Sequence, residues 1–222
     1  MTRVPAARRR ELLAAAAVRV LARGGLSAVT TRAVVAEAGM KLASFHYAYD
    51  SRTDLLRDLV AGVVAGERES ARGGLLEAVV RRPVAAEAAS HAEADRDADV
   101  TAVIHASLQA YLLLVAQEPG REQGMFELTQ HALRDPALSG VARDQYAHYH
   151  AVAAELLDLL GDQLGLRWDA PVADLARLLV GLTDGLTLAW LADRDDEATD
   201  RTARLAAQML AAHALALEPV TA

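Results

Sequence analysis

Nine residues between Thr31 and Arg52 have side chains suited to reading a polyanion. Thr31 and Ser44 carry hydroxyls, Arg32 and Arg52 guanidinium groups, Lys41 an ammonium, His46 an imidazole and Tyr47 a phenol, while Leu42 and Ala43 add small apolar surface. Guanidinium and ammonium groups take phosphate oxygens or guanine edges. Hydroxyl, imidazole and phenol groups each donate single bonds to phosphate, and an apolar side chain can meet a thymine methyl. The chemistry is recognition rather than bond-making.

The spacing supplies a frame for these groups. Thr30 is placed to cap a short helix whose apolar side is Val34, Val35 and Ala38. Gly39 then provides the backbone freedom that a sharp helix-to-helix turn needs. A second short helix carries Lys41, Ser44, His46 and Tyr47 outward and turns Phe45 and Tyr49, four apart, toward a core, with Met40 plugging the corner. Ser51-Arg52-Thr53-Asp54 reads as a capping box opening a longer helix. Helix, turn and helix in this order predict a helix-turn-helix, whose second helix enters the DNA major groove.

Upstream, Leu12, Leu13, Ala16, Ala17, Val20 and Leu21 recur at helical spacing and form one buried stripe that ends at Gly24-Gly25. Arg8, Arg9 and Arg10 precede it; they either line a phosphate or minor groove as an arm or are simply solvated. Downstream, Leu55, Leu56, Leu59, Val60, Val63 and Val64 make an amphipathic fourth helix, expected over 52–73 and broken or kinked at Gly73-Gly74.

Composition agrees with helices. The 222 residues are 53% hydrophobic and 24% charged, with only 4% aromatic and abundant alanine, so the expected fold is all-α. Residues 1–57 hold ten basic and four acidic residues, net +6, which leaves −13 for the rest of a chain whose total is −7. A basic head on an acidic body brings one end to phosphates and keeps the other away. Without cysteine, disulfides and thiolate metal sites are impossible, and a reducing cytoplasm is expected. Arg19 and Arg23 interrupt the N-terminal apolar run, so no secretory signal is expected. Arg177 and Asp184 lie inside the most apolar window, Leu175 to Ala192, which is read as a buried helix and not a membrane span.

These residues carry a resemblance. Thr30/Thr31, Gly39-Met40-Lys41, Phe45-His46-Tyr47-Ala48-Tyr49, Ser51-Arg52 and Asp54-Leu55-Leu56 resemble the DNA-binding head of the TetR family of bacterial transcriptional repressors over the first 65 or so residues. Lys41 stands where the family has serine and His46 where it commonly has a phosphate-bonding tyrosine. Ala43 replaces a frequent glycine, Ala48 lacks the usual imidazole, and Arg52 keeps the basic phosphate clamp. The resemblance assigns Arg32 to a base or phosphate, against a solvated alternative. Thr31 stays open between phosphate contact and capping, and Tyr47 between contact and packing. Leu42 lies toward the core by spacing but at the groove-facing helix start by resemblance.

The resemblance implies residues 1–52 as the three-helix DNA-binding head and 53–222 as a helical bundle for effector binding and dimerisation. In the body, 83–97 reads as a loop or frayed helix, followed by helices from Val100 to before Pro119, Gly120 to Leu133, Val141 to Leu164, Val172 to Ala192 and Asp196 to Leu217. Gly181, Gly185 and Ala189 recur every four residues beside Leu178, Leu182 and Leu186. That row suits close helix approach, either within the chain or between two copies; the family pairs through its final two long helices. Polar or aromatic residues on apolar helices, His105, Gln109, Tyr111, Phe126, His131, Trp168 and Trp190, are the candidate ligand lining, each with a core or surface alternative. Among the seven histidines, only His131, four from Glu127, suggests a shared helix face, and no metal or other cofactor is expected. No nucleophile elbow, phosphate-cradling glycine loop or dinucleotide fingerprint is present, so no enzyme is expected.

The expected function is therefore a cytoplasmic, nucleoid-associated transcriptional regulator, a homodimeric repressor released from a palindromic operator by a small, largely apolar effector, with no membrane partner. The alternatives are a DNA-binding regulator governed by a protein or by no ligand, and a helical-bundle carrier or enzyme.

Overall fold

The computed structural model of the chain describes residues 5–81 and 94–216. The described residues form α1 (Ala6–Ala28), α2 (Thr31–Glu37), α3 (Leu42–His46), α4 (Arg52–Arg81), α5 (Ala94–Gln117), α6 (Pro119–Ala132), α7 (Ser139–Leu164), β1 (Leu166–Trp168), α8 (Val172–Asp193), α9 (Asp196–Ala211) and β2 (Ala214–Ala216). The all-α expectation holds apart from one small antiparallel ribbon, β1 with β2, in the register Leu166↔Ala216.

Packing groups the chain into two compact units, Met1–Glu67 with Val115–His148, and Arg68–Leu114 with Tyr149–Ala222. In the first, α1 packs against α2 and α6, and α2 against α3. The predicted stripes are buried except at Leu12, which is half-buried: Leu13, Ala16, Ala17, Val20 and Leu21 on α1, and Leu55, Leu56, Leu59, Val60, Val63 and Val64 on α4. At Gly25 the backbone leaves the helix, with φ 69° and ψ −175°, so the expected stop at Gly24-Gly25 is a kink followed by one last turn. In the second unit Leu75, Val100, Val103, Ile104, Leu108, Leu160, Leu166, Leu186, Ala207 and Leu210 form one core, with Trp168, Leu178 and Leu182 packed against it.

Several expectations need correction. Gly73-Gly74 does not interrupt α4, which is helical through Arg81. A Cβ on Gly74 would sit 3.0 Å from the Ala110 side chain, so this glycine allows α4 and α5 to approach rather than ending a helix. The last helix ends at Ala211, not Leu217, because the chain leaves it to pair with β1. A start at Ala94 lengthens α5, and residues 83–93 of the expected loop lie outside the described residues. By length and composition, Ala98–Gln117 and Val172–Asp193 could each cross a membrane. Leu108 of the former and Leu175, Val180 and Leu186 of the latter are nevertheless buried against protein.

Candidate nucleic-acid interface

The corner between α2 and α3 is built as its residue types dictate. Thr30 Oγ1 accepts from the Ala33 N–H at 3.2 Å, capping α2. The Val35 carbonyl accepts from the Met40 N–H at 2.8 Å, and Gly39 adopts φ +64°, a left-handed conformation that favours glycine. Lys41 is the extended N-cap of the five-residue α3. Phe45, 3% exposed, anchors that short helix, with its ring 5.4 Å from Tyr49 and edge-on to His46. With Phe45 inward, Lys41, Leu42, Ala43, His46 and Tyr47 are exposed and Ser44 is half-buried. Leu42, 44% exposed, lies on the solvent side of its two alternatives, and Tyr47 is 78% exposed. Thr31 is half-buried in the first turn of α2 and Arg32 is exposed.

Ion pairing sorts the head's positive charge. Arg8 pairs with Glu11 at 2.9 Å, Arg10 with Asp58 at 2.9 Å, Arg19 with Glu37 at 2.7 Å and Arg57 with Asp54 at 3.1 Å, while Arg23 also meets Glu37. Hydrogen bonds from Arg23 and then Arg19 hold the Glu37 carboxyl below the usual carboxylate range. Among the described residues, Arg32 and Lys41 make no such pair. The cationic charge left for phosphates is thus concentrated on the helix-turn-helix, a refinement that residue counting does not provide.

Four of the basic residues make contacts that the sequence does not suggest. Arg8, Arg9 and Arg10 lie in the first turns of α1, not in an arm. Arg9 stands 5.9 Å over the Tyr47 ring, and Arg10 donates to Asp58 and to the Ala48 carbonyl at 3.0 Å while covering the Tyr49 ring at 4.5 Å. The Tyr49 hydroxyl donates to Asp58 at 2.9 Å; burial and then Asp58 raise its pKa well above the ordinary phenol value. Arg52 donates to the carbonyl oxygens of Val29 at 2.9 Å and Leu26 at 3.0 Å, so its guanidinium supports the turn between α1 and α2. The Ser51 cap that opens α4 forms as its sequence predicts, while the Asp54 carboxylate turns to the Ser51 hydroxyl rather than to its backbone N–H. Ser51 Oγ accepts from the Asp54 N–H at 3.1 Å and donates to the Asp54 carboxylate at 2.8 Å.

The candidate ligand residues do not gather into one site. In the second unit His105, 7% exposed, and Gln109 both bond Asp200 Oδ1, at 2.9 and 2.6 Å. Burial works against the Asp200 carboxylate, but Gln109, His105 and Arg204 outweigh it and lower its pKa. Tyr111 shares a 2.9 Å bond with Thr187. Trp168 donates to the Leu157 carbonyl, and Trp190 donates to Asp196 with Arg194 over its ring. In the first unit Phe126 is half-buried, and His131 is exposed, 3.8 Å from Asp135. Among the described residues no His/Cys/Asp/Glu group could hold a metal, and Glu127 is engaged with α1 rather than with His131.

On α8 the two rows separate. Leu186 is buried in the chain's own core, and Leu178 and Leu182 are half-buried against it. Gly181, Gly185 and Ala189 are exposed, and a Cβ built on either glycine would meet nothing within 4 Å.

Residues 13–59 match the family model for bacterial regulatory proteins of the tetR family, and residues 100–215, just over half the chain, match the C-terminal model of BetI-type transcriptional repressors. No curated protein matches the sequence. Among solved structures the chain is similar to a TetR transcription regulator from Haloarcula marismortui, with 20% identity, TM-score 0.61 and coverage of 94% and 100% of the two chains. It is similar to Thermus thermophilus FadR, a TetR-family repressor solved with lauroyl-CoA, at 21% identity, TM-score 0.58 and coverage of 96% and 98%. The multidrug binding protein EbrR, solved with imidazole, is 27% identical with TM-score 0.50 and coverage of 96% and 97%. The helix-turn-helix, its exposed cationic surface and both family matches agree: the chain belongs to the TetR family of transcriptional regulators, which are DNA-binding proteins and not enzymes.

Proposed function

We propose that this regulator is a homodimeric repressor that binds a palindromic operator through residues 1–52 and is released by a small apolar effector bound in the helical body, 53–222. The observation that carries the DNA reading is the pair of unneutralised cations at the starts of the two helices, Arg32 on α2 and Lys41 at the N-cap of α3, with Leu42 and Tyr47 exposed. Thr31, Ala43, Ser44 and His46 complete the reading surface. Arg52 acts on it from behind, through the turn it holds.

Dimerisation is supported by the uncovered ridge of Gly181, Gly185 and Ala189, with Leu188 on α8 and Leu205 and Met209 on α9 more than half exposed. Small residues allow backbones to approach closely, and the exposed apolar side chains gain by burial against a second copy. Two α3 helices then address successive major grooves about 34 to 36 Å apart.

An apolar effector fits the composition of α5 and α8 and the lauroyl-CoA complex of FadR. Within the second unit, His105, Gln109, Tyr111, Trp168 and Trp190 are the candidates proposed to meet it, and Phe126 and His131, in the first unit, are left out. The deciding experiment is selection of bound duplexes from a random pool with purified protein, then titration of the selected duplex with salt and with acyl and aromatic compounds. Recovery of a palindrome with steep salt dependence supports the reading; recovery of no sequence overturns it. Specific binding that no compound lowers would favour control by a protein or by no ligand.

A further inference from the structure

Glu127 lies on α6, outside the segment that matches the DNA-binding family model. Its carboxylate nevertheless accepts from the Leu26 N–H at 2.8 Å. The kink at Gly25 takes that N–H out of the helical ladder, and a part-buried amide without a partner is costly. Gly25 suits this kink by its backbone. Its φ of +69° is left-handed, and an added Cβ would lie 2.5 Å from Glu127 Oε2.

The carbonyl of the same residue is also held by a charged group. Arg52 of α4 donates to the Leu26 carbonyl at 3.0 Å and to the Val29 carbonyl at 2.9 Å. Thr30, the α2 N-cap, follows directly. The turn between α1 and α2 is therefore clamped by an acid from α6 and a base from α4. Glu127 is itself held in place, because α6 approaches α1 closely at two glycines. A Cβ on Gly120 would collide with the Ala22 carbonyl, and one on Gly124 with the Leu21 side chain.

We propose that Glu127 is a positioning residue for DNA binding: through the Leu26 amide it sets the direction in which α2 and α3 leave α1. The inference rests on the operator reading above. Glu127 touches no nucleic acid in it, so its removal changes how well the reading surface is presented and not how many phosphates are met.

The test uses the full chain and the duplex selected by the wild type. Glu127→Ala should weaken specific binding ~10-fold or more, since bonds to a charged acceptor are the stronger kind. The slope of log K against log salt should be unchanged, because no phosphate contact is lost. Glu127→Gln keeps an oxygen that can accept from Leu26 and should bind within ~3-fold of wild type. Glu127→Asp keeps the charge but is one methylene short, so it should also bind ~10-fold more weakly, which keeps the test readable if the alanine variant does not fold. Amide exchange at Leu26 should rise in the variants that bind weakly and stay low in Glu127→Gln.

Wild-type affinity in Glu127→Ala or Glu127→Asp, or weak binding by Glu127→Gln, would overturn the inference while leaving the operator reading intact. A wild type that selects no duplex would overturn the operator reading itself, and this inference with it.

Discussion

Arg52 Nε donates to the Val29 carbonyl oxygen at 2.9 Å, and the same guanidinium reaches the Leu26 carbonyl at 3.0 Å. A residue that resembles a phosphate clamp thus spends part of its fork on the protein's own backbone. Lysine cannot reproduce that fork. Arg52→Lys should cost roughly 1 to 2 kcal/mol of folding free energy in urea titration, with a further loss of operator affinity. If Arg52 were a phosphate clamp alone, stability would be unchanged and only operator affinity would fall, with the salt slope kept because lysine retains the charge.

Arg32 and Lys41 make opposite predictions, because neither is tied to a carboxylate among the described residues. Arg32→Ala and Lys41→Ala should leave thermal stability within about 0.5 kcal/mol, as substitutions at exposed sites usually do. Each should weaken the selected duplex. A residue that meets phosphate lowers the salt slope by roughly one for all sequences, whereas one that reads guanine costs about 1 to 3 kcal/mol at one base position. Fluorescence anisotropy on a set of single-base variants separates the two.

The parts of this head that are legible in the sequence are those whose causes are local. Thr30, Gly39 and Ser51 with Asp54 act within a few residues of their own position, and each forms the cap or turn its type predicts. Glu127 and Leu26 are 101 positions apart, and no periodicity links a carboxylate on one helix to a kink in another. Gly74 misled for the same reason. A glycine pair reads as a break when only the chain is considered, but the neighbour that explains it, Ala110, arrives from α5. Net charge had the sign of the head right without showing that Arg8, Arg10, Arg19, Arg23 and Arg57 are already paired.

Tyr49 joins α1 to α4 through Asp58, at 2.9 Å, with Arg10 over its ring. Burial and then the Asp58 bond raise its pKa above the unfolded value, so the folded state holds the phenol proton more tightly. The stability this confers is fully present below pH ~10, the unfolded value, and is lost as pH rises toward the folded one. Denaturant titrations at pH 8 and pH 11 should show the wild type weakening, and Tyr49→Phe losing that dependence while starting about 1 to 2 kcal/mol less stable. A wild-type profile flat across this window would exclude a buried, bonded phenol.

Gly185 tests the dimer without disturbing the chain's own packing. A Cβ at this position meets nothing within 4 Å in the folded chain, so Gly185→Leu has room within one subunit. Removing a mid-helix glycine should by itself favour α8 by about 1 kcal/mol. If the ridge faced only solvent, the variant would be at least as stable as the wild type and would sediment identically. If a second copy lies against it, leucine holds the two helices apart. Sedimentation velocity should then show monomer at micromolar concentration with helical content unchanged by circular dichroism. Binding to a full palindrome should fall to that of a single half-site, because two α3 helices act together only when the subunits are joined. Full operator affinity in a dimeric Gly185→Leu protein would mean that the subunits pair through another surface.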